Sequence, residues 1–430
     1  RKWVSKEGLT KTHIIPEGDG ELYKIAQNKK SEKAQYYLIS SAQNATKIHK
    51  SLWANMQAYA EYLNASIEII PMRYKNPTSV FSDLPYDWWD ADIRPYLIAN
   101  RHKLSNNLTV VGDLKIQPTA SLPLSGIEGL TRSESCIIGH PRQHFYFTHT
   151  LDNAPFKLLM STGSVTLCNY TDSKAGKRGE FNHEYGFVIV EIVDKDTFHI
   201  RHISATDDGN FYDLNTQVTG GVVYPNQHCV DVMVLGDLHY GQHNEFALET
   251  TYEMLDLFKP KQIVLHDLMD GLSVSHHDRK DPFMLLDKEV TGSDNLQEEI
   301  KNILSFIDTI KEYHPVVVKS NHDDFVDRWL RDVDWRKENN KYEYLKYAHL
   351  IATGKITNGV LAYELEDRFG DEVKVLTTDS SHKVNGWELA VHGHLGTGGS
   401  RGTPIQYKKL NTKIVTGHSH SPCKIDNLQT

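Results

Sequence analysis

The sequence predicts an α/β protein in two parts, and three observations carry that reading. In the first half, short apolar runs alternate with apolar residues at helical spacing. From residue 231 onward, strand after strand ends in a cluster of Gly, Asp, Asn or His. Hydrophobic residues make up 39% and charged residues 24%, a globular balance without fibrous or disordered bias. At roughly 100–200 residues per domain, 430 residues suggest about two or three domains, enough to bury a core without disulfide or zinc staples.

Residues 1–30 are polar and read as irregular. A strand is predicted at 36–40. Ile48, Leu52, Met56, Tyr59 and Leu63 recur at spacings of three and four, the stripe of an amphipathic helix. Another strand is predicted at 66–70, stopped by Pro71. This is a βαβ unit, which implies a parallel pair. Further strands are predicted at 108–111, 145–147, 157–160, 187–193 and 198–200, making residues 1–230 one mixed α/β domain of unassigned role. Thr219, Gly220, Gly221 and Pro225 break the pattern and mark a boundary near 217–230. The second domain, 231–430, reads as strand 230–235, helix 245–258, strand 262–265, helix 296–313, then strands 316–318, 388–391 and 413–415.

Lys plus Arg number 47 and Asp plus Glu 56, a formal net charge of −9. That argues against coating nucleic acid by bulk charge, but not against an enzyme that grips phosphates through metal ions and local basic groups. Cys136, Cys168, Cys229 and Cys423 form no CxxC pair, so no zinc ribbon or thioredoxin motif is present. Scattered thiols fit a reducing cytoplasm. No signal-peptide pattern opens the sequence. No apolar run approaches the roughly 20 residues a membrane helix requires, so no membrane partner is expected.

Thirteen of the 23 histidines lie in residues 231–430. Seven of them lie in five clusters: Gly236-Asp237-Leu238-His239, His266-Asp267-Leu268-Met269-Asp270-Gly271, Asn321-His322-Asp323, His392-Gly393-His394 and Gly417-His418-Ser419-His420. Ligands of open α/β sheets bind at the carboxyl ends of strands, so five strand ends with such residues point to one site. Imidazole plus carboxylate suits Mn, Fe or Zn. An i, i+2 pair at a strand end lets Asp237 and His239 face the same ion. Seven or eight ligands suit two ions rather than one, and ions roughly 3.5–4 Å apart form the clamp of phosphatases and nucleases. Taken alone, any one cluster is an ordinary strand-end turn; the five together carry the weight.

The ordered set Asp237/His239, Asp267, Asn321/His322/Asp323, His392 and His418/His420 resembles the calcineurin-like metallophosphoesterase superfamily, over residues 231–430. The stretch from His392 through Gly398-Gly399-Ser400-Arg401-Gly402 to Gly417-His418-Ser419-His420-Ser421-Pro422 resembles its SbcD-type nuclease branch. With the α/β domain in front, the whole chain is similar to the pre-early, host-DNA-degrading nucleases of siphophages.

The resemblance implies a β-sandwich flanked by helices for 231–430. It also implies a metal-dependent DNase with two divalent ions, most readily Mn, with Mg, Fe or Zn as alternatives. Asp237, His239 and His420 would hold one ion and Asn321, His392 and His418 the other, with Asp267 bridging. His322 would act at the scissile phosphate, with Asp323 orienting its ring, and a metal-activated hydroxide would attack phosphorus. DNA would be the substrate and the host cytoplasm the location, with room for a homo-oligomer or an ATPase-type partner.

The family usually has Gly where this chain has His266 and Ser320; His266 then reads as an extra ligand, a phosphate contact or a tolerated change. Arg401 and His394 read either as phosphate contacts or as a loop charge and a structural histidine. His276-His277-Asp278 reads as a polar loop or a substrate-side cluster. Ser161-Thr162-Gly163-Ser164 lacks the rest of a phosphate loop and reads as a turn. The rival functions are a phosphomonoesterase or cyclic-nucleotide phosphodiesterase on the same scaffold, and a non-catalytic binding module.

Overall fold

The computed structural model describes residues 15–16, 22–23, 36–74, 88–148, 150, 156–227, 230–396, 398, 400, 402–410 and 412–420. It is a mixed α/β protein with several sheets. The chain divides into two compact units, Arg1–His228 and Cys229–Thr430.

In the first unit, the strand Tyr36–Gln43 lies parallel to Ser66–Met72 and antiparallel to Gly186–Ile192, which pairs in turn with Phe198–Ser204. Helix Lys50–Leu63 connects the parallel pair and buries Leu52, Trp53, Met56, Tyr59 and Ala60. Alternation along the strands splits the core. Leu38, Ile69 and Ile189 face the helix, while Ile39, Ile70 and Val188 pack on Val110, Ile137 and Met160. Those three come from a second, five-stranded sheet that also holds Arg101–Ser105 and Phe145–Thr148. Pro71 does not stop its strand, which runs on to Met72. The strand is at the sheet's edge, where the missing N–H breaks no ladder.

The second unit is built on four parallel strands whose spatial order equals their chain order: Met233–Asp237, Ile263–His266, Val316–Val318 and Lys374–Leu376. Right-handed crossovers in a sheet that always adds its next strand on the same side place every connecting helix on one face. Ile263, Leu265 and Val317 face those helices, with Ile303, Phe306 and Ile307 of Leu296–Ile310 and Leu361 and Leu365 of Val360–Phe369. On the other face Val264, Val316 and Val318 pack with Leu389, Ala390, Val384 and Val415, which come from or flank a small sheet of Lys383–Val384, Trp387–Glu388 and Lys413–Ile414. The strand expected at 230–235 starts later, at Met233, and reaches Asp237. The expected helix 296–313 closes as a 3₁₀ turn over Lys311–Tyr313. Among the described residues no helix is long and apolar enough to cross a membrane.

Candidate metal centre

All five clusters meet at the carboxyl edge of this sheet. Asp237 is the last residue of its strand, and the ladder continues beyond it. The N–H groups of Leu238, His239 and Tyr240 donate to the carbonyls of His266, Asp267 and Leu268 at 3.1, 2.8 and 3.0 Å. This zips the first two loops together. The expected i, i+2 geometry is not how Asp237 and His239 come to face each other. His239 has φ +47°, so a left-handed turn rather than the strand period brings them together. Asp267, His418 and His420 also have positive φ, at +40°, +69° and +49°. Such backbone is costly for residues other than Gly and gathers at functional sites.

The turn after Lys413–Ile414 separates its two histidines. His420 Nε2 lies 3.1 Å from Asp237 Oδ2, whereas His418 gathers with Asp267 and His392. The His418 N–H donates to Asp237 Oδ1 at 2.8 Å. Gly417 permits this approach, because a Cβ there would lie 2.1 Å from Asp237 Oδ1. His392 Nε2 sits 3.0 Å from Asn321 Oδ1 and 3.2 Å from Asp267 Oδ2.

Three groups of potential ligand atoms, each within 4.8 Å of one another, result: Asp237, His239 and His420; His239, Asp267 and His322; and Asp267, His392 and His418. Asp267 and His239 each belong to two of them. Asp237 and Asp267 are 5% and 2% exposed at their side chains, and their ion-pair partners among the described residues are all histidines. Burial pushes the Asp267 carboxyl up, but the hydrogen bond and charge of His392, with Ser320 and His322, outweigh it and hold it well below the usual carboxylate range. His239 Nε2 and His392 Nδ1 are buried without a hydrogen-bond partner. Paired buried carboxylates facing unpartnered imidazole nitrogens fit divalent cations.

Other placements depart from expectation. Asp323 does not touch the His322 ring. Its Oδ1 accepts the Met269 N–H at 3.1 Å, and its Oδ2 accepts Ser320 Oγ–H at 2.6 Å and Ser320 N–H at 3.2 Å. Burial pushes this carboxyl up to about 6. Asp323 thus ties two loops together, and Ser320 supplies a hydroxyl that a Gly at this position would lack. The His322 ring is held by Asp270, whose carbonyl accepts its Nδ1–H at 2.7 Å. The Asp270 carboxylate pairs with His239 Nδ1 at 3.1 Å. His266 is fully buried, so it is no substrate contact. It stacks on His392 with 5.7 Å between ring centres and is outside all three ligand groups. His394 is half-buried, 5.3 Å from His392 and 6.2 Å from His418 between ring centres. Arg401 lies outside the described residues.

Sequence reasoning missed the Glu299 carboxylate, which accepts the N–H groups of Gly271, Leu272 and Ser273 at 2.8, 3.1 and 3.1 Å. It also missed Phe325, stacked 4.5 Å from the His322 ring. Neither residue carries a spacing signal: Glu299 acts across the fold, and Phe325, only three residues after His322, reads as an ordinary apolar residue opening the next helix.

Fold and site together define a mixed α/β protein of two units with a histidine–aspartate centre at a sheet's carboxyl edge. In sequence the chain is similar to Protein A1 of Escherichia phage T5, at 30% identity over 94% of this chain and 77% of that protein. The chain belongs to the family of Protein A1. No family model matches it, and no solved structure matches it.

Proposed function

We propose that the protein is a metal-dependent DNase of the calcineurin-like metallophosphoesterase type, with the second unit as its sandwich and Mn as its preferred metal. The observation that carries this reading is that Asp267 gathers with His239 and His322 in one group of ligand-type side chains and with His392 and His418 in another. Asp237, His239 and His420 would hold one ion, and Asn321, His392 and His418 the other, with Asp267 common to both. Bound there, two divalent ions supply charge neutralisation at the phosphodiester and a water acidic enough to attack it near neutral pH.

The chain's own residues do the rest. The Asp270 carboxylate accepts the hydrogen bond of His239 Nδ1–H, which leaves Nε2 free to serve as a ligand. A carbonyl only accepts, so Asp270 O fixes the hydrogen of His322 on Nδ1. Nε2 of His322 is then the atom that carries a proton to the leaving oxygen. Asp323, Ser320 and the Met269 N–H keep the Asn321-His322 turn against the Asp267 loop.

Plasmid DNA and p-nitrophenyl phosphate, each incubated with Mn, Mg or chelator, test the proposal. DNA should be degraded with Mn and spared with chelator. Intact DNA beside a cleared small ester would favour the monoesterase instead. His322→Ala should lower turnover about 10²–10⁴-fold and leave metal content unchanged; an unchanged rate would remove His322 from the mechanism.

A further inference from the structure

The loop that leaves Asp267 ends in a basic knot, His276-His277-Asp278-Arg279. The His276 and His277 rings lie 3.9 Å apart and meet Phe325 edge-on at 4.9 and 5.8 Å. Phe325 stacks on His322 at 4.5 Å. One phenyl ring therefore separates His322 from the knot. Gly271 makes room for that ring, since a Cβ there would sit 2.8 Å from it.

Arg328, one turn after Phe325 in the helix Phe325–Asp332, places Nη1 3.0 Å from His276 Nε2. A guanidinium only donates, so His276 Nε2 accepts and the neutral ring carries its hydrogen on Nδ1. Burial, then the charges of His277, Arg328 and Arg279, holds His276 below its ordinary value and keeps it neutral. That Nδ1 is buried and bonded to nothing, and so is Arg279 Nη2. Of the neighbouring acids, Asp278 is engaged by Lys288 at 2.6 Å, while Asp332 pairs with Nε of Arg328 at 3.4 Å. Two buried donors without acceptors are costly until an anion reaches them.

We propose that His276, Arg279 and Arg328 form a subsite for a backbone phosphate of the nucleic-acid strand, next to the phosphate at His322. The assignment rests on the nuclease reading and adds a substrate class to it. A phosphomonoester has no second phosphate to place there, whereas a polynucleotide does, and guanidinium groups grip phosphate in paired hydrogen bonds.

The test uses Mn-loaded full-length protein and an oligonucleotide in which one phosphate at a time is replaced by a neutral methylphosphonate. One position near the cut should raise KM about ten- to a hundredfold, the cost of a charged hydrogen bond. In Arg279→Gln that same replacement should cost little more than the variant does alone. Arg328→Gln repeats the test should the first variant not fold. Additive losses at every position, with the wild type cutting normally, would overturn the subsite alone. A wild type inert on the unmodified strand would remove the nuclease reading and the subsite with it.

Discussion

The carboxylate of Asp270 stands 3.1 Å from Nδ1 of His239, while its carbonyl holds His322. One residue thus orients a candidate ligand through its side chain and a candidate proton donor through its backbone. The hydrogen bond to Asp270 is the main reason His239 is more basic than usual. Asp270→Ala should weaken Mn binding about 10–100-fold, as loss of a partner behind a ligand does. At saturating Mn, turnover should recover to within a few fold, since the carbonyl contact survives. A Mn titration by calorimetry that matches the wild type would contradict this role.

Gly417 and Gly236 should respond oppositely to Ala. At Gly417 the new methyl meets Asp237 Oδ1, while at Gly236 it meets open space. Gly417→Ala should cost about 1–3 kcal/mol, as overpacking does, and weaken metal binding, because Asp237 must move. Gly236→Ala should melt and bind like the wild type. Thermal melts with Mn titrations of both variants read the difference.

Glu299 gathers three N–H groups and the Ser273 hydroxyl on one carboxylate. Glu299→Gln keeps the shape but sets an NH₂ against those donors. Stability should drop by about 2–3 kcal/mol, and DNA cleavage should fall because the Asp270 loop loses its anchor. A urea midpoint equal to that of the wild type would show that the loop does not depend on Glu299.

Acid should weaken the first unit through His140. It is fully buried, accepts the Arg142 N–H at Nδ1 and lies 3.0 Å from that nitrogen. Burial lowers its pKa to about 4. The folded unit therefore binds fewer protons than the unfolded chain, whose histidines titrate near 6.5. Stability is complete above that value and falls as pH drops from about 6.5 to about 4, by about 3 kcal/mol in all. His140→Gln should flatten this slope by about one proton in pH-dependent chemical denaturation; an unchanged slope would assign it elsewhere.

Much of this was legible in the chain because it is local. The stripe Leu52, Met56 and Tyr59 marks a helix, and Val316–Val318 is apolar on both faces because the sheet is covered on both. The five clusters could be read because strand ends must carry the site in such a sheet. The contacts that shape the site were not legible. Asp270 meets His239, and Glu299 meets Gly271, only after the crossovers have formed. Asp323 looked like an orienting partner for its neighbour His322, yet its side chain turns the other way, to Ser320 and Met269. The left-handed turns at His239, Asp267, His418 and His420 likewise leave no mark on a sequence pattern, since none of them is glycine.

The most direct test of the central claim is an anomalous-scattering map from crystals grown with manganese. Two peaks should appear, one against Asp237, His239 and His420 and one against Asn321, His392 and His418, with Asp267 touching both. Peaks elsewhere, or density at this edge that leaves Asp267 without metal, would contradict the account.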